Sequence, residues 1–233
     1  MTTTPATHEF VWVADRCLRV RLGEGISAES HSRVRAAYGR LCSLRIAGVA
    51  DLTPAYDSLL VTFDPATLDA QAAERAVRAA LAGADAEDRA PPRLVTVPTC
   101  YEGACGPDLH EVALLRRMTP EEVVSLHASA EYVVHFLGFS PGFPYLAGLP
   151  ERLATPRLER PRLAVPAGSV AIAGTQAGIY PQATPGGWRL LGRTPLRLFD
   201  AGREPPNLLA IGDHVRFAPI PHEDHVARDE QTR

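Results

Sequence analysis

Three runs decide how the second half of this chain is read: Gly138-Phe139-Ser140-Pro141-Gly142-Phe143-Pro144-Tyr145-Leu146, then Pro166-Ala167-Gly168-Ser169-Val170-Ala171-Ile172-Ala173-Gly174-Thr175-Gln176, and Gly178-Ile179-Tyr180-Pro181 continuing to Pro185-Gly186-Gly187-Trp188. Residues with no side chain or a fixed φ are costly unless a tight turn or a close backbone approach requires them. Between such turns lie short apolar runs, Ser169 to Ala173, Trp188 to Leu191, Leu196 to Phe199 and His214 to Ile220, with the alternating Tyr132 to Leu137 before them. Short strands cut by proline and glycine turns predict a closed or nearly closed β-barrel. Of 21 prolines and 18 glycines, 13 and 11 fall between Gly138 and Pro221, whereas the stretch before Arg89 is alanine-rich and poor in both. Two architectures are therefore specified, and the fold class is α+β.

Working toward the N-terminus, Thr119-Pro120-Glu121-Glu122 is a capping box with proline at N1, predicting a helix from Thr119 to about Ala128. Leu109, Val112, Ala113 and Arg116 recur at helical spacing within Pro107 to Arg117. In the first part, Cys17 to Leu22 alternates arginine and apolar residues as a half-buried strand does. A helix follows, with Ser27 as N-cap and Val34, Ala37, Tyr38 and Leu41 on one face. Strands are predicted at Leu44 to Leu52 and Ser58 to Phe63, separated by a turn at Thr53-Pro54. A second helix starts at Asp64-Pro65, carries the stripe Ala73, Ala76, Val77, Ala80 and Leu81, and ends at Gly83. With Arg93 to Val97 as last strand, the order β-α-β-β-α-β matches a ferredoxin-like α/β sandwich. The expected domains are residues 8–90, residues 91–221 and a charged, mobile tail over 222–233, with 84–92 as a surface crossing.

Composition excludes several chemistries. The chain has 233 residues, 24 basic and 27 acidic, a net charge of −3, and every basic residue other than histidine is arginine. No dense basic run suits a nucleic acid. Without lysine, a Walker-type phosphate loop, a Schiff base and a biotinylated carrier are excluded on this chain. Anions must be held by arginine forks, histidines, backbone amides or another subunit. Cys17, Cys42, Cys100 and Cys105 show no secreted-scaffold density and are expected as free thiols. Met1 to Glu9 has neither a basic nor an apolar leader region, and nowhere do about 18 apolar residues run together. A cytoplasmic protein with no membrane partner is the expectation.

No zinc-protease helix or dinucleotide fingerprint is present. His222 and His225 lack a rigid partner ligand, so no metal site is read. His127 on a helical stripe and His135 in a strand each fit a hydrogen-bonded structural histidine as well as a proton-transfer group. The bland reading of Phe139, Phe143 and Trp188 is barrel core or interface. Arg193 has Asp200 and Asp213 as alternative partners.

The motifs GFSPGFPYLAGLP (138–150), VPAGSVAIAG (165–174), GIYPQATPGGWRLLGRTP (178–195), LFD (198–200) and GDHVRF (212–217) together resemble the KipI / allophanate hydrolase subunit 1 family. The likeness extends through CYEGACGPDLHEVA (100–113) and EEVVSLHASAEYVV (121–134), and more weakly through PAYDSLLVTFDP (54–65). Within the family it is most like the B subunits of ATP-dependent 5-oxoprolinases. The resemblance implies a small N-terminal α/β domain and a C-terminal cyclophilin-like β-barrel, without prolyl isomerase activity. It implies a complex with PxpC-like and PxpA-like subunits that hydrolyses 5-oxo-L-proline to L-glutamate with cleavage of ATP, the nucleotide and its Mg belonging to the complex and this chain inactive alone. The family also covers, as alternatives to that reading, a KipI-like inhibitor of a sensor histidine kinase and an allophanate- or urea-processing subunit. Where the family commonly has Gln-Thr-Gly-Ile-Tyr-Pro, this chain has Ala177 in place of the threonine.

On that reading, Arg193 is the candidate anion fork and Arg189 a weaker one, with His127 and His135 as proton-transfer groups. Gln176 and Tyr180 would make polar contacts to the lactam. Gly186 and Gly187 would let the backbone approach it, and Phe139, Phe143 and Trp188 would wall it.

Overall fold

A computed structural model describes residues 8–82 and 92–232. The chain forms two compact units, Met1–Pro91 and Pro92–Arg233.

The first unit is built from β1 (Glu9–Ala14), β2 (Cys17–Arg21), α1 (Ala28–Leu44), β3 (Val49–Pro54), β4 (Ser58–Phe63) and α2 (Ala70–Leu81). Its sheet is antiparallel with order β1-β2-β4-β3. Ser27 and Asp69 cap the two helices by accepting the backbone N–H three residues on. Leu18, Val20, Leu59 and Val61 face Val34, Ala37, Leu41, Val77 and Ala80 in one apolar layer. The central strands β2 and β4 each contribute every second residue, as the pleat requires.

This order corrects the ferredoxin-like expectation. The edge beside β2 is taken by β1, whose Phe10, Val11, Trp12 and Val13 form an unpredicted hairpin arm. The strand expected to complete the unit, β5 (Leu94–Thr99), pairs in parallel with β13 (His214–Pro219) of the second unit instead. Helix α1 runs to Leu44 and stops at Arg45 in a left-handed conformation (φ 43°), so the predicted strand at 44–52 begins only at Val49. The turn expected at Thr53-Pro54 lies within β3, where Pro54 is tolerated because β3 is a sheet edge. Asp64 closes a turn ahead of α2, whose true cap is Asp69. The predicted helix end at Gly83 and the 84–91 part of the crossing lie outside the described residues.

The second unit adds α3 (Leu109–Arg116), α4 (Pro120–Ser129), β6 (Tyr132–Leu137), β7 (Pro144–Ala147), β8 (Arg162–Val165), β9 (Ser169–Ala173), β10 (Gln176–Ile179), β11 (Thr184–Gly186), β12 (Arg189–Arg193) and α5 (His222–Thr232). The capping box forms, with Thr119 and Glu122 each bonding the other's backbone N–H. Seven strands run in the order β12-β9-β10-β7-β6-β13-β5. The two outer strands meet through a bridge between Cys100 and Arg193, whose backbone groups exchange two hydrogen bonds of 2.8 Å. One bridge makes the barrel nearly closed. A separate ribbon pairs β8 with β11. The segment from His222, expected as a mobile tail, is helix α5: its His222 N–H bonds the Glu102 carboxylate and its His225 is buried.

Candidate functional site

The strands β7, β9, β10 and β12 bury both faces. Leu146, Val170, Ile172, Ala177, Ile179 and Leu191 point into the main core, together with Val112 of α3 and Val123 of α4. Their neighbours Tyr145, Ala171, Ala173 and Leu190 point to the other face, under Phe143, Val165, Tyr180 and Trp188. That second face has a floor of small residues. A Cβ at Gly178 would stand 2.8 Å from Phe143 Cζ, so glycine there is what lets the ring lie on the sheet.

On this floor four rings meet edge to face. Phe143 lies 5.2 Å from Tyr180 and 5.5 Å from Trp188, and Tyr145 lies 5.9 Å from Trp188. Phe136 of β6 stacks on Tyr145 at 4.5 Å. Phe139 stands over the group, 5.4 Å from Phe143 and 6.2 Å from Tyr180. It is 61% exposed and holds φ at +64°, a conformation a bulky side chain adopts only under constraint.

Arginines surround this face, and three of them are committed. Arg162 pairs at 2.5 Å with the buried Asp108, whose other oxygen accepts the Leu190 N–H. Arg189 pairs at 2.5 Å with Glu111. The Nε of Arg193 donates to the Ala167 carbonyl at 2.9 Å, while its backbone closes the barrel. Neither Asp200 nor Asp213 takes it, since these pair with Arg197 and Arg93. A fourth, Arg157, is exposed with its guanidinium carbon 5.7 Å from the Trp188 ring centroid. Burial raises the Tyr145 and Tyr180 phenols above their ordinary values. Arg157 pulls both back down, and at Tyr180 the Trp188 backbone N–H does so more strongly.

The structure thus brings Phe139, Phe143, Tyr180 and Trp188 together, and corrects several other expectations. His127 is fully buried and packs against Phe217, Tyr132 and Tyr101, with ring centroids at 4.5, 5.4 and 5.8 Å. Burial lowers its pKa to about 3, so it stays neutral at physiological pH. Its Nδ1 lies 2.8 Å from the Tyr101 hydroxyl. Burial raises that phenol, so the hydroxyl keeps its proton and donates. His127 is therefore a core histidine with no path for proton exchange. His135 is buried at a bulge of β6, one residue before Phe136, and burial lowers its pKa too.

Gln176 shares a face of β10 with Gly178 but sits at the β9–β10 hairpin, at the far end of the strand from Tyr180. The tight approach expected at Gly186 and Gly187 belongs to Gly186 alone. A Cβ there would stand 2.3 Å from the Tyr180 hydroxyl, whereas one at Gly187 would come no nearer than 3.5 Å to Pro161 and 3.8 Å to the Leu158 carbonyl, both ordinary contacts. Tyr145, Phe136 and Arg157 were missed by sequence reasoning. No local periodicity marks them, and they reach the cluster through β6–β7 pairing and the loop before β8.

Among the described residues, no group of three or more metal-ligating side chains occurs, and the four cysteines are free. Burial and a hydrogen bond with Cys100 push the Cys105 thiol up to about 12, which leaves it unreactive. Among the described residues, no helix is long and apolar enough to cross a membrane. An open groove of about 340 Å³ in the first unit, lined by Tyr38, Cys42, Arg45 and Asp51 among others, has no such grouping of rings and cations.

A nearly closed barrel with an aromatic outer face, preceded in the chain by a small α/β unit, is a module of the carboxyltransferase type: the family described as carboxyltransferase domain, subdomain C and D, matches residues 8–209. The 5-oxoprolinase B subunit of Bacillus subtilis (strain 168) is 40% identical over 97% of this chain and 98% of its own length. The crystal structure of TTHA0988 superposes on 88% of the chain with a TM-score of 0.79 and 40% identity, and the chain spans 40% of that protein. The urea amidolyase of K. lactis shares the fold, at a TM-score of 0.77 and 20% identity, over 96% of this chain and 15% of its own. The chain belongs to the carboxyltransferase subdomain C and D family, in the group of 5-oxoprolinase B subunits.

Proposed function

We propose that this chain is a subunit of an ATP-dependent 5-oxoprolinase, which hydrolyses 5-oxo-L-proline to L-glutamate as ATP is cleaved to ADP and phosphate. The observation that carries this reading is the end-to-end likeness to a 5-oxoprolinase B subunit, at 40% identity over 98% of that relative. A lactam amide is a poor electrophile, and ATP supplies the phosphoryl group that turns its oxygen into a leaving group.

The donor set of this chain does not fit a triphosphate. It has no lysine. Each of the five helices described carries an acidic residue at its cap or in its first turn, which opposes an anion where backbone N–H groups point outward. ATP and Mg therefore belong to the complex, with PxpA-like and PxpC-like subunits as partners, and the chain is inactive alone in the cytoplasm. The barrel is of the cyclophilin-like kind.

The work of this chain is to hold the ring and exclude water. The lactam lies at the rim of the cluster, beside the exposed Phe139 and against the edge of Trp188. Tyr145 and Tyr180 offer hydroxyls that burial keeps protonated. His135, neutral at physiological pH, is the histidine proposed to take a proton.

The test is glutamate release from 5-oxoproline, with and without ATP, by the chain alone and co-purified with its partners. ATP-dependent release from the mixture only is expected. No release from a verified, stable complex overturns the reading.

A further inference from the structure

The aromatic face holds a planar ring but does not by itself explain how a carboxylate on that ring is recognised. The arginine assigned to that task from the sequence, Arg193, is tied to the Ala167 carbonyl and to barrel closure. Arg162 and Arg189 are neutralised by Asp108 and Glu111. Arg157 differs from all three. Among the described residues it has no carboxylate within 4.0 Å, and it faces the ring of Trp188, 5.7 Å away. It acts on both phenols of the cluster, Tyr145 and Tyr180, which places its charge on their side of the site. An arginine lying over an indole keeps its planar fork oriented while its N–H groups point away from the ring. Such a fork matches a carboxylate with two parallel hydrogen bonds.

We infer that Arg157 is the specificity-determining cation of this site, binding the carboxylate of a carboxylated lactam that lies against Trp188. The inference rests on the proposed lactam site and adds to it the group that separates 5-oxoproline from a neutral ring of the same shape. Arg157 binds and orients and takes no part in proton transfer.

The test uses the assembled complex carrying Arg157→Gln or Arg157→Lys, with thermal unfolding as a control for folding. For Arg157→Gln, KM for 5-oxoproline should rise about tenfold or more, as expected for loss of a charge-assisted contact at a partly solvated site, with kcat within about twofold. Arg157→Lys should recover part of the loss, because it keeps the charge without the fork. The inhibition constant of 2-pyrrolidinone, the same ring without a carboxylate, should not move. An unchanged KM, or a parallel weakening of 2-pyrrolidinone, overturns the assignment. Tyr180→Phe separates the two levels of the argument. If it raises KM while Arg157→Gln does not, only the carboxylate assignment falls; if neither variant changes KM, the site itself has been misplaced.

Discussion

Gly186 and Gly187 are adjacent in a sequence that gives no reason to rank them, yet the structure predicts opposite responses to one added methyl group. In Gly186→Ala the new Cβ would lie 2.3 Å from the Tyr180 hydroxyl, 2.8 Å from Cζ and 2.9 Å from Cε1. A side-chain tip can often swing aside, but this one is held. Tyr180 is 2% exposed, its ring meets Phe143 edge-on at 5.2 Å, and its hydroxyl accepts the Trp188 backbone N–H. Overpacking costs about 1–3 kcal/mol and losing the hydrogen bond about 1 more, so Gly186→Ala should lose roughly 2–4 kcal/mol. For a chain of this length that is a fall in Tm of roughly 5–15 °C. In Gly187→Ala the Cβ meets Pro161 at an ordinary 3.5 Å, and the backbone is not left-handed. Its stability should stay within about 1 kcal/mol of wild type, on the stabilising side if the unfolded chain loses entropy. Urea denaturation of both variants, followed by tryptophan fluorescence, measures the difference directly. Equal stability of the two would refute the claim that Tyr180 is locked against β11.

The burial of His127 makes a second prediction. Its folded pKa of about 3 lies below the ordinary value near 6.5, so the unfolded chain takes up a proton that the folded one refuses. The stability it permits is complete above about pH 6.5 and is lost as the pH falls toward 3, amounting to about 2 kcal/mol between pH 7 and pH 5. His127→Gln should flatten that part of the pH profile in denaturation experiments, and an unchanged slope would place the acid sensitivity elsewhere. At Phe139, replacement by glycine removes the left-handed strain at φ +64° together with the exposed ring. Phe139→Gly should keep its stability within about 1 kcal/mol of wild type while KM of the complex rises. A variant that loses stability yet keeps KM would show Phe139 to be packing rather than part of the site wall.

The caps at Ser27 and Thr119 and the strands at 132–137 and 169–173 were legible because each rests on signals a few residues apart. Thr119 and Glu122 close their box locally, and the burial of Val170 and Ile172 on one face with Ala171 and Ala173 on the other follows from the pleat. Four short strands, β7, β8, β10 and β11, went unpredicted as strands because three or four residues between turns carry too little periodicity. The candidate site was legible only in part. Aromatic and glycine motifs pointed to Phe139, Phe143, Tyr180 and Trp188, while His127 and Arg193 carried the right chemistry in the wrong surroundings.

By itself the sequence determined the division into an alanine-rich α/β part and a proline- and glycine-cut barrel, the absence of lysine chemistry, and the family through its ordered motifs. Tertiary structure alone decided that β5 leaves the first sheet for β13, that Cys100 and Arg193 close the barrel, and that Asp108 is joined to Arg162 and Leu190, 54 and 82 residues away. It also decided that Arg157 is left facing Trp188 without an acidic partner among the described residues. The reason is physical: apolar periodicity records which side of an element avoids water, and that preference is satisfied equally by any sheet or core able to cover it. Which partner covers it, and which charges are then neutralised or left open, depends on contacts made only when the whole chain has packed.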